Sequence, residues 1–244
     1  RHILRGKTLI ILSAALLLWS AAESPGEERR RAVRALSSVP EDAGSAPRRN
    51  HGGPPVLSPP FAAPRERVDH FLGRLERSKA EAGRVIAALE RAEPYAHFIR
   101  ERIQERGLPP ELFYLPVVES LYMINARSRS GALGLWQFMQ NSVGSWMRID
   151  EWADERKDFW KSTVAALEKL EHNHAAVGDW LLALAAYNCG LGRVQRAVRE
   201  SGVRDFWELS RAGLLPRETR DYVPKFIAVA RSEEHTSELQ SPNT

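Results

Sequence analysis

The chain has 244 residues, and its charge is nearly balanced, with 35 Lys and Arg against 31 Asp and Glu. A balance this close does not indicate a nucleic-acid partner, which would require a marked basic excess. A single cysteine, Cys189, excludes an internal disulfide and a zinc site built from cysteine pairs. We therefore expect Cys189 to be a small buried thiol.

The first residues have the pattern of a secretory signal peptide. Basic residues precede an apolar run from Thr8 to Trp19, and small residues follow at positions 20–22. The run is too short to span a bilayer comfortably. We predict that residues 1–22 are a signal peptide or an N-terminal anchor, and that the protein is exported to the periplasm or cell envelope.

Two further stretches lack the pattern of a folded domain. Residues 23–64 are rich in Pro, Gly, Arg and Ser, so they cannot bury enough apolar surface to offset the entropy of ordering, and we predict a disordered linker. Residues 231–244 are polar and aperiodic, and they resemble the translation of a common sequencing-adapter oligonucleotide. We predict that this tail is not native, which leaves residues 65–230 for the folded domain.

Helical periodicity dominates residues 65–230. Apolar residues recur at three- and four-residue spacing from Val68 to Leu89, and a second helix is predicted from Pro94 to Arg106, with Gly107 as its stop. Later helices are predicted around residues 159–170, 180–186, 194–198 and 222–229, and the segment 180–186 is apolar on all sides. Because no convincing alternating strand occurs, the sequence predicts an all-α domain of about seven to nine helices.

The most informative residue is Glu119. The segment from Pro110 to Glu119 is predicted to be a helix that Pro116 bends or ends early, so Glu119 should lie near a helix end and face a cleft. Its apolar neighbours disfavour the charged carboxylate and should raise its pKa, which suits a general acid near neutral pH. A Gly-rich turn and an aromatic-amide segment follow at residues 128–137. This combination favours a site that cleaves a sugar.

Four motifs, in this order, resemble those of the lytic transglycosylase catalytic domain, which has the fold of goose-type lysozyme. They are Glu119–Ser120, Ser128–Met139, Ala185–Gly190 and Glu218–Val223. Their long spacing, together with residues 135–138 and 152–156, is most similar to the type D members of that family. The resemblance covers residues 94–230, taken as the core of the domain. It implies a lysozyme-like all-α fold that acts on peptidoglycan glycan strands.

The resemblance also implies a role for each matching position. Glu119 falls on the single catalytic acid and base. Six residues fall on positions that line the glycan cleft or approach the carboxylate: Ser128, Gln137, Met139, Tyr187, Asn188 and Tyr222. Three glycines fall on positions that shape the adjoining turns: Gly131, Gly134 and Gly190. For Met139, packing and cleft lining are equally good interpretations.

The chain departs from the family at two points. Cys189 stands where the family usually has alanine, a change between small residues that should leave the turn intact. Type D members are typically lipoproteins, but no cysteine follows the apolar N-terminal run. A lipoprotein anchor is therefore not predicted, and association with the inner or outer membrane stays open.

The number of carboxylates bears on the predicted mechanism. Most glycosidases use a pair of carboxylates about 5–10 Å apart, whereas the motifs offer no obvious partner for Glu119. Polar loop residues such as Asp150, Glu151, Asp154 and Glu155 are more often solvated or salt-bridged. The family needs no partner, because Glu119 would protonate the leaving oxygen and the C6 hydroxyl of MurNAc would attack C1, giving 1,6-anhydro-MurNAc. The alternatives are a hydrolytic muramidase of the same fold and a non-catalytic glycan-binding domain.

Structural roles are the preferred interpretation for several other residues. Three tryptophans are predicted to be core: Trp136, Trp146 and Trp160. Glu218 is predicted to be a structural partner of a backbone group or an arginine. His172 and His174 face different sides of a helix and make a poor metal pair. We therefore predict no metal. We also predict no cofactor and a monomeric protein.

Overall fold

The computed structural model describes Phe61 and residues 66–240, and the side chains up to residue 232. In this part of the chain the α-helices are α1 (Glu66–Arg77), α2 (Lys79–Glu105), α3 (Leu115–Ser120), α4 (Phe159–Val177), α5 (Trp180–Cys189), α6 (Leu191–Ser201), α7 (Phe206–Arg211) and α8 (Arg217–Gln240). Short 3₁₀ helices lie at Pro110–Tyr114, Gln140–Ser142 and Glu155–Lys157. The described residues contain isolated β-bridges but no strand, which confirms the predicted all-α class.

The break between the first two helices lies at Ser78, not at Pro94 as predicted. Ser78 is the N-cap of α2, and its Oγ accepts a hydrogen bond from the Glu81 N–H at 3.2 Å. The helix then continues through Pro94 to Glu105. Buried residues lie on both sides of the proline, so packing of one continuous apolar face outweighs the lost backbone hydrogen bond.

Helix α5 forms the centre of the domain. Every residue from Leu181 to Tyr187 is buried, as the apolar sequence of this segment predicts. The helix packs against α4, α6, α7 and α8. Its C-terminal end, at Cys189 and Gly190, reaches the surface cleft described below.

The ends of the domain differ from the predicted boundaries. Phe61 lies in the stretch predicted as linker, yet it is fully buried, and its ring packs edge-on against Phe226 at 5.7 Å. At the other end, the backbone of α8 runs beyond residue 230 to Gln240. The predicted signal peptide, residues 1–22, lies outside the described residues. None of the described helices is both long and apolar enough to cross a membrane.

The three tryptophans predicted to be core have different environments. Trp136 is fully buried and Trp146 packs against the core. Trp160 is 60% exposed, so its assignment to the core is wrong. It lies in the first turn of α4, where its ring packs against those of Phe98 and Phe159.

Candidate active site

A cleft with a volume of about 680 Å³ brings the four sequence motifs together. Four helices supply one part of the wall, which we call the helical lining: Val118 and Glu119 of α3, Lys169 of α4, residues 187–190 at the end of α5, and Glu218, Tyr222 and Lys225 of α8. The segment between α3 and α4 supplies its loop lining: Ser128, Ser130, Ala132, Gln137, Phe138, Met139, Asn141 and Ser142. Glu119, Gly190 and all six predicted cleft residues belong to this lining. Gly131 and Gly134 lie in the turns of the loop.

Glu119 lies at the end of a short helix, as predicted, but Pro116 has a different role from the predicted one. Pro116 lies in the first turn of α3, where its missing N–H leaves no hydrogen bond unmade. The helix ends because Leu121 and Tyr122 adopt positive φ values of 52° and 58°. Arg91 Nε donates to the Leu121 carbonyl at 2.8 Å. Glu119 therefore protrudes from a tightly held turn.

The environment of Glu119 favours its protonated form. Burial raises its pKa to about 7, although a hydrogen bond from the Tyr222 hydroxyl and the positive charge of Lys169 act in the opposite direction. The neighbouring charge of Glu218 adds to the increase. A carboxyl group with a pKa near 7 can both give up and take back a proton at neutral pH. This is the electrostatic setting that a residue acting first as acid and then as base requires.

Two buried tyrosines flank this carboxyl group. Burial raises the pKa of Tyr187 and of Tyr222 well above the usual value, so both are neutral hydrogen-bond donors at neutral pH. Tyr222 donates to Glu119 Oε1, whereas Tyr187 donates to the Trp136 carbonyl at 2.9 Å. Tyr222 is thus hydrogen-bonded to the carboxyl group itself, whereas Tyr187 links α5 to the loop that contains Trp136.

The loop lining takes its shape from backbone contacts. Leu133 and Phe138 exchange two backbone hydrogen bonds of 3.1 Å. Gly134, between them, has a φ of 84°, and a Cβ at this position would lie 1.9 Å from the carbonyl oxygen of Arg156. Only glycine allows this approach. The turn and the Arg156 backbone are therefore packed without room for any side chain.

The side chain of Arg156 holds the same loop from inside the protein. Its guanidinium donates to both carboxylate oxygens of Asp154, at 2.8 and 2.6 Å. Nη1 also donates to the carbonyls of Gly131, at 3.3 Å, and Phe138, at 3.2 Å. One buried cation thus joins the two ends of the turn that carries Gln137.

Gln137 and Asn188 present amide groups to the cleft in fixed orientations. Gln137 Nε2 donates to the carbonyls of Ala126 and Gly134, at 3.2 and 2.8 Å, which leaves its carbonyl oxygen available to a ligand. Asn188 Oδ1 accepts a hydrogen bond from Thr219 at 2.7 Å, so its NH₂ group remains a donor. The pair offers one acceptor and one donor, an arrangement suited to the hydroxyl and acetamido groups of a sugar.

Cys189 is less enclosed than the sequence suggested. It is partly buried and lines the cleft beside Asn188. Burial raises the pKa of its thiol, and a hydrogen bond with Thr219 lowers it. Since desolvation is the larger effect, the thiol form is favoured and the residue acts as a small apolar part of the lining.

The structure assigns different positions to the candidate second carboxylates. Asp150 pairs with Arg148, Asp154 with Arg156 and Glu155 with Lys161, and none of them lines the cleft. Glu218, which the sequence analysis preferred as a structural partner, does line it. It is exposed there, one helical turn before Tyr222.

Sequence reasoning missed two lysines of the lining, Lys169 and Lys225. For Lys169 a signal was present, because it shares one face of α4 with Ser162, Ala166 and Asn173, which are buried. A charged residue on the buried face of a helix deserves a functional explanation. For Lys225 the signal is its position one turn beyond Tyr222 on α8.

Comparisons with known proteins find one matching family and several similar sequences. The family described as "Transglycosylase SLT domain" matches residues 97–210, a range that ends before Glu218 and Tyr222. "Membrane-bound lytic murein transglycosylase D" of Escherichia coli (strain K12) is 40% identical over 146 residues, which are 57% of this chain and 31% of that protein. "Putative tributyltin chloride resistance protein" of Alteromonas sp. (strain M-1) is 41% identical over 111 residues, which are 44% of this chain and 53% of that protein. The chain thus spans about a third to a half of the length of these relatives.

Proposed function

We propose that this chain, whose residues 97–210 belong to the transglycosylase SLT domain family, is a peptidoglycan lytic transglycosylase. It would cleave the β-1,4 bond between MurNAc and GlcNAc and leave 1,6-anhydro-MurNAc ends. This assignment goes beyond the family match, since the relatives are much longer than the matched region. It rests on the chemistry of the cleft.

The observation that carries the proposal is the state of Glu119. Its pKa of about 7 leaves it partly protonated at neutral pH, and its proton can pass to the glycosidic oxygen as the bond to C1 of MurNAc breaks. The C6 hydroxyl of the same MurNAc then attacks C1 and returns its proton to the Glu119 carboxylate. No water is consumed, and Glu119 ends the cycle as it began.

A hydrolytic muramidase is the second candidate, and Glu218 is the observation that favours it. A water-using enzyme of the inverting type needs a second carboxylate as a base, and Glu218 lines the same cleft as Glu119. Under the transglycosylase proposal Glu218→Gln should keep most of the activity. Under the hydrolase alternative it should remove it.

The deciding experiment is digestion of purified murein with the full chain, followed by mass analysis of the released fragments. The proposal expects anhydro ends and no uptake of ¹⁸O from labelled water, whereas a muramidase would give reducing ends that contain the label. Glu119→Gln should abolish cleavage, with a loss of at least about 10³-fold, and still bind murein. A wild-type chain that binds murein without cutting it would indicate the third alternative, a glycan-binding domain.

We further propose an envelope location for the protein. The apolar run at Thr8–Trp19 and the substrate both support export. Residues 1–22 fused to a reporter enzyme that is active only outside the cytoplasm should yield activity. Replacing two leucines of the run by arginine should remove it, and equal activity from both fusions would contradict export.

A further inference from the structure

The ammonium group of Lys169 has an unusual position in the cleft. It lies 4.8 Å from the ring centroid of Tyr187 and 5.2 Å from that of Phe138. Lys169 therefore belongs to the helical lining but also touches a ring of the loop lining. Both aromatic residues are buried, so the two rings hold the cation at a defined place beside Glu119.

This ammonium group has hydrogen-bonding capacity that the described part of the protein does not use. Within that part, no salt bridge or hydrogen bond involves Lys169, although its side chain is only partly exposed and points into the cleft. The other charged side chains of the lining are Glu119, Glu218 and Lys225. Glu119 already accepts a hydrogen bond from Tyr222. A partly desolvated ammonium with three donors is most strongly satisfied by an oxyanion.

We infer that Lys169 binds a carboxylate of the peptidoglycan strand and thereby makes this cleft selective for acidic muramoyl units. The inference rests on the proposed function, because it concerns the substrate of the same site. GlcNAc carries no carboxylate. MurNAc carries a lactyl group whose carboxylate is free where no stem peptide is attached, and the stem peptide carries carboxylates of its own. Both sources present the same oxyanion to an ammonium.

Two alternative roles for Lys169 make different predictions. If Lys169 donated only to acetamido or hydroxyl oxygens, it would bind charged and uncharged strands equally. If it acted only through the positive field of the cleft, Lys225 would contribute to a similar extent. The substrate's charge and the identity of the lysine are therefore the two variables to separate.

The test measures binding rather than turnover, in the full-length Glu119→Gln chain, so that the oligosaccharides survive. Three soluble muramoyl oligosaccharides serve as probes: peptide-free strands, the same strands with their lactyl carboxylates converted to methylamides, and strands that carry stem peptides. Titration calorimetry compares the Glu119→Gln chain with three derivatives of it that also carry Lys169→Met, Lys225→Met or Lys79→Met. Methionine keeps the length of the side chain and removes the charge, and Lys79, at the start of α2, lies outside the lining.

Loss of one charge-assisted hydrogen bond should weaken binding about tenfold. For Lys169→Met we expect this tenfold loss of affinity with carboxylate-bearing strands and no loss with the methylamide strands. Lys225→Met should cause a much smaller loss, and Lys79→Met should cause none. A loss on peptide-free strands assigns the lactyl carboxylate, and a loss confined to peptide-bearing strands assigns the stem peptide. Lys169→Arg should restore most of the affinity.

A loss on the methylamide strands as large as that on the carboxylate-bearing strands would overturn the inference, and so would equal losses for Lys169→Met and Lys225→Met or no loss on any strand. Thermal unfolding of each variant shows whether a weak binder is folded. Failure of the inference is distinct from failure of the proposed function. If wild type releases anhydro ends while Lys169→Met binds normally, only the inference fails. If wild type never cleaves murein, the proposed function fails whatever the titrations give.

Discussion

The two parts of the cleft lining are built in different ways. The helical lining carries the ionisable side chains, namely Glu119, Lys169, Tyr187, Cys189, Glu218, Tyr222 and Lys225. The loop lining carries no charged side chain, and its form depends on backbone hydrogen bonds and on Gly134. Under the proposed function, the helical lining would therefore determine proton transfer, whereas the loop lining would determine the shape into which the glycan fits. Substitutions in the two parts should have separable effects.

The largest effect on stability is expected at Gly134 in the loop. Gly134→Ala would place a Cβ 1.9 Å from the Arg156 carbonyl oxygen, at a φ of 84°. Clash and backbone strain together should lower the free energy of unfolding by about 3 kcal/mol. Urea denaturation measures the loss, and activity should fall because the turn that carries Gln137 must move.

Gly131→Ala is the matched control for this change. Gly131 has a φ of 91°, but a Cβ there would meet no atom within 4 Å. Only backbone strain remains, so the loss should be about 1 kcal/mol. Equal losses at the two glycines would show that close packing against Arg156 does not shape the loop.

The next effect belongs to the helical lining and appears as a pH dependence of stability. The pKa of Glu119 rises from 4.5 to about 7 on folding, so the folded state binds more protons than the unfolded chain between these values. Its contribution to stability is therefore complete below pH 4.5 and is lost as pH rises to about 7. Glu119→Gln removes this dependence. Above pH 7 the variant should be more stable than wild type by an amount on the order of 3 kcal/mol.

Urea denaturation of both proteins from pH 4 to pH 9 measures this effect. The difference between the two curves is the relevant quantity, since the other titrating groups contribute equally to both. A difference that stays constant with pH would mean that Glu119 ionises as easily in the folded protein as in the unfolded chain. Gly134→Ala provides the contrast, because its cost should not change with pH.

Sequence reasoning predicted the direction of the Glu119 pKa shift but not all of its causes. The apolar neighbours of Glu119 correctly indicated a raised pKa, because those neighbours are local in sequence. Lys169 and Glu218, which alter that pKa, come from helices far along the chain. Periodicity can show that a residue faces inward, but it cannot show which other helix it faces. The position of Glu218 in the cleft was not predicted for this reason.

The loop lining illustrates a different limit. Its glycines were identified through the family resemblance, but the reason for Gly134 is the backbone of Arg156, which no spacing rule reveals. The same holds for Pro94, where the sequence suggests a boundary and tertiary packing carries the helix through. Fold class and the raised pKa of Glu119 were thus predictable from local patterns. The residues that support the cleft were not, because their contacts depend on how distant segments pack.

A smaller effect, on activity, is expected for Tyr222→Phe. The Tyr222 hydroxyl donates to Glu119 and lowers its pKa, so its removal should raise that pKa further. The alkaline limb of the pH–rate profile, where the acid form of Glu119 is lost, should then move to higher pH. The value of kcat/KM at the optimum should fall about tenfold through the lost hydrogen bond.

Tyr187→Phe is the control that tests whether contact with Glu119 matters. The Tyr187 hydroxyl donates to the Trp136 carbonyl at 2.9 Å and not to the carboxylate. Its loss should lower stability by about 1 kcal/mol and leave the alkaline limb in place. If both variants moved the limb equally, a general change in the cleft would explain the result better than the hydrogen bond does.

The smallest effect is expected where a buried residue acts on the cleft through the residues that line it. Thr219 is fully buried, and its hydroxyl donates to Asn188 Oδ1 at 2.7 Å. Thr219→Val should free the Asn188 amide to rotate. We expect KM to rise a few-fold, which corresponds to a loss of about 1 kcal/mol of binding free energy, and kcat to stay nearly unchanged.

Thr163→Val is the control, because it removes an equally buried hydroxyl. That hydroxyl accepts a hydrogen bond from Trp136 Nε1 at 3.0 Å behind the loop. That variant should lose stability without a change in KM. If Thr163→Val raised KM as much as Thr219→Val does, shape and amide orientation would not be separate contributions. The division of the cleft into a charged helical lining and a shaped loop lining would then need revision.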